Sequence, residues 1–254
     1  MQRDYWDGAA RSPVDVPDPE SVGRYAARRA LSRLSARRLK TGRYPVLFEG
    51  PLALGLLGAF VQATSGGALY RRASFLLDAL GKPVLSDHSD IVEDPFIKRA
   101  MGSSAFDSEG VRTQARNVVA GGVLQGYFLS SYTARKLNLT TTGNAGGSHN
   151  LELRSRLTRP EDTFDAMLKK MGTGLLVTEL IGQGVNYVTG DYSRGAFGYW
   201  VENGEIAYPV EGIAIAGNLA DMFRSIVAVG ADAITRGSKT SGSVLIQEMA
   251  VAGQ

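Results

Sequence analysis

The sequence predicts an α+β fold: a large, mainly antiparallel β-sheet, for which a barrel-like closure is one arrangement, with flanking helices. Three observations carry this. From Gly174 onward, apolar residues recur mainly with a two-residue period, as in strands with one buried face. The dipeptides Gly121-Gly122 and Asn203-Gly204 separate such runs, and both suit the positive-φ positions of a tight hairpin. Strands joined so tightly run antiparallel, unlike the alternating strands and helices of a parallel sheet. Earlier segments show helical spacing with recognisable starts.

In chain order, residues 1–17 are polar and proline-bearing and read as a lead-in to a domain over 18–254. Asp18-Pro19-Glu20 starts a helix: an N-cap, a proline in the first turn and an acid at the positive end of the dipole. Val22, Ala26, Ala27, Ala30, Leu31 and Leu34 share one face of it. Arg24, Arg28 and Arg29 fall opposite and predict a solvated basic face; Arg33 fits neither. Residues 44–48 read as a buried strand, and Gly50-Pro51 opens a helix through about Thr64. Gly66-Gly67 interrupts it, and the spacing of Leu69, Phe75, Leu76 and Leu80 predicts a second helical piece. Residues 90–94 form a strand ending at Pro95, and 102–110 a loop. Residues 116–119 and 123–129 form a hairpin around Gly121-Gly122. Residues 130–137 are helical, 143–149 a Gly-rich loop, and 158–171 a helix with Pro160-Glu161-Asp162 in its first turn. Strands are predicted at 175–181, 184–189, 196–202, 205–215 and 243–251, with helical spacing at 217–227.

The composition narrows the chemistry. The 254 residues contain no cysteine, which excludes disulfides and thiolate metal sites. Only His88 and His149 offer imidazole, the commonest protein ligand for zinc. A net charge of +3 does not by itself imply nucleic acid. The longest apolar run, 52–61, is shorter than the ~20 residues that span a bilayer. No secretory signal opens the chain, so a cytoplasmic location is the default expectation.

Familiar motifs fail on spacing. Gly237-Ser238-Lys239-Thr240 is not a phosphate-binding loop, because a serine stands between glycine and lysine. Lys239-Thr240-Ser241 lacks the Ser-x-x-Lys nucleophile of the serine β-lactamases. His88, with Asp87, Asp90, Glu93 and Asp94 nearby, admits a carboxylate-rich metal site; exposed acids beside a structural histidine are the reading favoured here. In the Gly-rich loop, Asn144, Ser148 and His149 are candidate peptide-binding residues: glycines let backbone approach a ligand, and all three side chains hydrogen-bond. The same groups also suit a compact self-stabilised loop. Asp191, Ser193 and Arg194 are further candidates, equally explained by a polar turn.

Several segments resemble the C-terminal region of the TldD/PmbA metallopeptidase family, also called the modulator of DNA gyrase family. They are residues 44–48, 66–77, 122–130, 142–150, 172–209, 242–246 and 251–253, in the family's order over nearly the whole chain. The wording of Val177-Thr178-Glu179-Leu180-Ile181-Gly182-Gln183-Gly184-Val185-Asn186 and of Thr189-Gly190-Asp191-Tyr192-Ser193-Arg194-Gly195 resembles the PmbA (TldE) branch rather than TldD. The resemblance implies a cytoplasmic heterodimer acting on unfolded peptides, including a bacteriocin precursor and an antitoxin. In it the TldD-type subunit holds zinc through a His-Glu-x-x-x-His helix and a later cysteine. The helix corresponding to that one spans residues 56–69, which contain neither histidine nor glutamate.

The expectation is therefore no catalytic residue and no metal ligand in this chain, with zinc in a TldD-like metal-bearing partner. Neither nucleic acid nor a membrane is expected as a partner, and a homodimer is the alternative assembly for the chain in isolation. Family members carry an additional N-terminal domain, which is expected to be absent here. Two further readings stay open: a free-standing peptide-binding or scaffold protein, and an independent enzyme using Asp191, Ser193 and Arg194.

Overall fold

The computed structural model describes residues 1–253. The barrel is built from β1 (Gly42–Phe48), β6 (Gly174–Ile181), β7 (Asp191–Glu202), β8 (Glu205–Asn218) and β12 (Val244–Ala252). The ring closes because β1 pairs with β6 on one edge, in parallel, and with β12 on the other, antiparallel. A short strand, β9 (Ile226–Val229), pairs with the first residues of β12, while the last residues of β12 pair with β8. The predicted barrel-like closure is thus the observed one.

Alternation along the strands decides which cluster each side chain joins. Val46 and Phe48 of β1, Leu175 and Val177 of β6, and Val244 and Ile246 of β12 enter the large apolar core. The intervening Leu47, Leu176 and Leu245 turn the other way and meet Met167, Leu168 and Met171 of α5 (Phe164–Met171). Bulges accommodate the closure, one of them between Ala196 and Gly198. A Cβ at Gly198 would strike the backbone carbonyl of Leu176. The β7–β8 hairpin turns at Asn203 (φ 52°) and Gly204 (φ 81°), as the dipeptide predicts.

A second sheet has the order β10 (Ile234–Arg236), β11 (Lys239–Ser241), β5 (Asn150–Ser155), β2 (Ser89–Asp94), β3 (Arg116–Ala120), β4 (Val123–Leu124). The helix α2 (Gly50–Ala63) packs against both β6 and the β10–β11 pair. Phe60 of α2 meets Phe223 of α6 (Leu219–Arg224) edge-on at 5.9 Å.

Several predicted elements are corrected. The helix expected over 69–80 is instead α3 (Gly66–Tyr70) followed by turns. Ser65 caps it through the Ala68 amide, so both glycines lie in its first turn. Beyond it the Ser74 hydroxyl takes the Leu76 amide and donates to the Ala63 carbonyl, offering the backbone a non-helical alternative. The stretch 56–69 is therefore two helices broken at Thr64-Ser65. Helix α5 starts at Phe164, not at 158, because Thr163 is its cap and Asp162 is engaged in a turn with the Arg159 amide and Lys170. Residues 184–189 form no strand: the Asn186 side chain accepts the Val188 amide and folds the segment into a turn before β7. Helix α6 covers only part of 217–227, and Ile226 already belongs to β9. The strands β5, β9, β10 and β11 were not predicted, although Leu151 and Leu153 alternate with Glu152 and Arg154.

The largest correction concerns α1 (Pro19–Ser32). Its cap is as predicted: Asp18 accepts the Ser21 amide at 2.8 Å. Its facing is not. Leu31 and Leu34 are 65% and 52% exposed, while Arg33 is 4% exposed and Arg29 is half-buried. Acids distant in sequence turn the arginines inward. Arg29 donates twice to Glu49, at 2.6 and 3.1 Å, and Arg33 pairs with Glu179. Asp4 lies against both guanidiniums, and Arg33 also stacks 3.9 Å from the Phe197 ring centroid. Helix α4 (Ser131–Leu137) carries the predicted Ser130 cap, as a reciprocal box with Thr133.

Candidate functional site

The candidate residues fall into two separate groups. Asn144, Ser148 and His149 lie in the loop leading into β5, on the second sheet, whereas Asp191, Ser193 and Arg194 lie on β7 of the barrel.

The first group is organised by Glu93, which strand alternation on β2 points inward with Ser89 and Ile91. Its carboxylate is 1% exposed and accepts four hydrogen bonds. Oε1 takes Asn144 Nδ2 at 2.8 Å, the His149 amide at 2.9 Å and His149 Nδ1 at 3.0 Å; Oε2 takes Arg116 Nε at 2.7 Å. Burial works against the charge, but the His149 hydrogen bonds and the Arg116 guanidinium outweigh it and hold the carboxyl below its ordinary value. Asp107 ties the other side of the loop through the amides of Ala145, Val111 and Glu109. Burial opposes its charge too, and those three amides hold it below the usual carboxylate range. Asn144 and His149 are thus consumed by the fold, and Ser148 is half-buried beside them. The sequence grouping of Glu93 with His88 is corrected: Glu93 serves His149. His88 is held by Ser155 Oγ at 2.9 Å and donates Nε2–H to the Ile226 carbonyl at 3.0 Å.

Of the second group, Arg194 borders a cleft of about 570 Å³. The cleft lies where the start of α2 (Pro51, Leu52, Gly55) approaches Thr178–Leu180 on β6, and residues 4–7 run along it. Trp6 sits between cations, 5.3 Å from Arg29 and 4.4 Å from Arg236, and meets Tyr25 edge-on. Asp7 pairs with Arg236 at 2.5 Å. Arg194 also lines the cleft, and its Nε is buried without a hydrogen-bond partner. Two residues earlier on the same strand, the buried Tyr192 hydroxyl has no partner either; burial pushes it up to about 12 although Arg194 pulls the other way. Asp191 and Ser193 are exposed, and Asp191 accepts the Thr189 hydroxyl at 2.6 Å. Only Arg194 of the three reaches the cleft.

The pairing of β1 with β6 ends at Phe48 and Val177, so among the described residues the main chain of Glu179, Leu180 and Ile181 pairs only with β7. One edge of β6 is open there, beside Arg194. Sequence reasoning missed this cleft. Trp6 with Asp4 and Asp7 is its one local signal, and the periodicity of α1 directs Arg29 to water.

The residues do not fit a catalytic zinc. Among the described residues no three His, Cys, Asp or Glu side chains converge as ligands. Helix α2 contains none of these types, and both histidines are engaged by structural partners. Among the described residues no helix is long and apolar enough to cross a membrane.

The chain resembles known proteins along its whole length. It is 53% identical over 254 residues to the metalloprotease PmbA of Escherichia coli O157:H7, covering 100% of this chain and 56% of that one. It is 47% identical to the PmbA homologue of Haemophilus influenzae, covering 55% of it. The chain thus spans about half the length of these curated relatives. A crystal structure from Thermotoga maritima MSB8, described as a modulator of a DNA gyrase, superposes with a TM-score of 0.87 at 37% identity, over 96% of this chain and 57% of that one. TldE from Thermococcus kodakarensis shares the fold, with a TM-score of 0.77 at 20% identity, over 92% of this chain and 55% of that one. The sequence profile of the PmbA/TldA metallopeptidase C-terminal domain matches residues 41–253. With the closed barrel, the order of the segments and this match in agreement, the chain belongs to the PmbA/TldD metallopeptidase family.

Proposed function

We propose that this chain is a metal-less subunit of a PmbA/TldD-type peptidase complex. It helps to hold an unfolded peptide, while a metal-bearing TldD-like partner in the cytoplasm supplies the zinc chemistry. The observation that carries this is the donor set. Catalytic zinc needs three protein ligands and an open water position, and α2 offers only apolar residues, glycine, proline and a glutamine. What the chain offers instead is an open strand edge at Glu179–Ile181, which suits an extended peptide with little demand on its sequence.

The test is reconstitution. The purified chain is expected to co-elute with a TldD-type subunit, and peptide hydrolysis is expected only in the mixture and to vanish with chelator. Chelator-resistant hydrolysis by the chain alone would make it an independent enzyme. Failure to associate would favour a free-standing peptide-binding or scaffold protein.

A further inference from the structure

We propose that the cleft beside β6 is a carboxylate site for an extended peptide, with the Arg194 guanidinium as its receptor. The proposal rests on the peptide-holding reading above and names the chemistry of the ligand.

Each of the other cations around this cleft has an acid, although Arg29 and Arg33 share with Arg194 a buried Nε that makes no hydrogen bond; the absence of any ion pair is what sets Arg194 apart. Arg29 meets Glu49 and Asp4, Arg33 meets Glu179 and Asp4, and Arg236 meets Asp7. The acids lining the cleft, Asp4, Asp7 and Glu179, are therefore committed to other arginines. Among the described residues Arg194 has no ion pair and no side-chain hydrogen bond, and its Nε is out of contact with water. A guanidinium presents five donors in a planar fork that matches a carboxylate. Removing part of that fork from water without an acceptor is unfavourable in the free protein, and an incoming carboxylate reverses it.

Two neighbours make the ligand a peptide rather than a small anion. The open edge of Glu179–Ile181 supplies main-chain donors and acceptors next to the guanidinium. Leu52, Leu180 and Trp6 give the same cleft apolar walls for an adjoining side chain. Residues 4–7 do not occupy that edge as a strand: they are tied down by side-chain contacts, chiefly those of Asp4, Trp6 and Asp7.

The carboxylate is either the C-terminus of the peptide or an acidic side chain, and binding separates the two. A short unstructured fluorescent peptide without acidic residues is titrated with the chain as its free acid and as its C-terminal amide. A third peptide carries the amide and one internal glutamate. The free acid is expected to bind roughly tenfold more tightly than the amide, as for one charge-assisted contact. Recovery of affinity by the glutamate peptide assigns the site to acidic side chains, and its absence assigns it to the C-terminus. Arg194→Gln is expected to erase the difference, and Arg194→Lys to keep part of it, with charge but no fork. Equal binding of all three peptides, binding of none, or a full preference surviving in Arg194→Gln overturns the proposal. The acid–amide comparison on the unaltered protein depends on no variant folding. Because binding is read on this chain alone, a preference for the acid without association to a TldD-type subunit would keep the site and remove the subunit reading. The converse result would do the opposite.

Discussion

The Glu93 carboxylate and the Nε of the half-buried Arg194 are both withdrawn from water, and the fold treats them in opposite ways. Glu93 lies on the second sheet with a donor on every side, supplied by Arg116, Asn144 and His149. Arg194 lies on the barrel with its Nε unpaired, above an equally unpaired Tyr192 hydroxyl. A carboxylate with four donors makes its loop part of the scaffold, and adding a ligand there would require breaking bonds already made. A guanidinium without an acceptor does nothing for the scaffold and gains from one that arrives. The glycine-rich loop was the more conspicuous candidate in the sequence, yet its polar groups face one another. The less conspicuous Arg194 faces a cleft.

The contrast predicts that the two residues respond oppositely to removal. Glu93→Ala leaves Arg116 and His149 without their acceptor and is expected to cost about 3–5 kcal/mol in urea unfolding, as for any broken buried pair. A loss within the range of ordinary surface substitutions would mean that the network is not structural. Acidification sharpens the same point. Glu93 and Asp107 both titrate below their ordinary values when folded, so their stabilisation is present above the unfolded carboxylate range near pH ~4 and is lost as pH falls through the lower folded values. The urea midpoint should fall over that acid window, and Glu93→Gln should flatten part of the fall. The smallest effect belongs to Arg194→Met, expected to leave stability unchanged or raise it by about 1 kcal/mol, because a poorly satisfied cation is replaced by an apolar chain. A loss of more than about 1 kcal/mol in the same unfolding measurement would place Arg194 in the scaffold and dissolve the contrast.

The sequence by itself determined what neighbouring residues can decide. Asp18 and Ser130 cap their helices, and Asn203-Gly204 turns the β7–β8 hairpin. The alternation in β6 sends Leu176 away from Leu175 and Val177. The order of the motifs identified the family. Caps, turns and periodicity are properties of a few consecutive residues, so a single chain displays them before it folds. Only the tertiary structure decided which charges find partners. On periodicity Arg29 belonged to a solvated face and Leu31 to a buried one; Asp4, Glu49 and Glu179, distant in sequence, reversed both. The same holds for Glu93, which reached His149 rather than the nearby His88, and for Arg194, whose lack of an acid became visible only once the barrel had closed around it. An ion pair or an unpaired donor depends on what arrives from elsewhere in the chain, and local spacing carries no record of that.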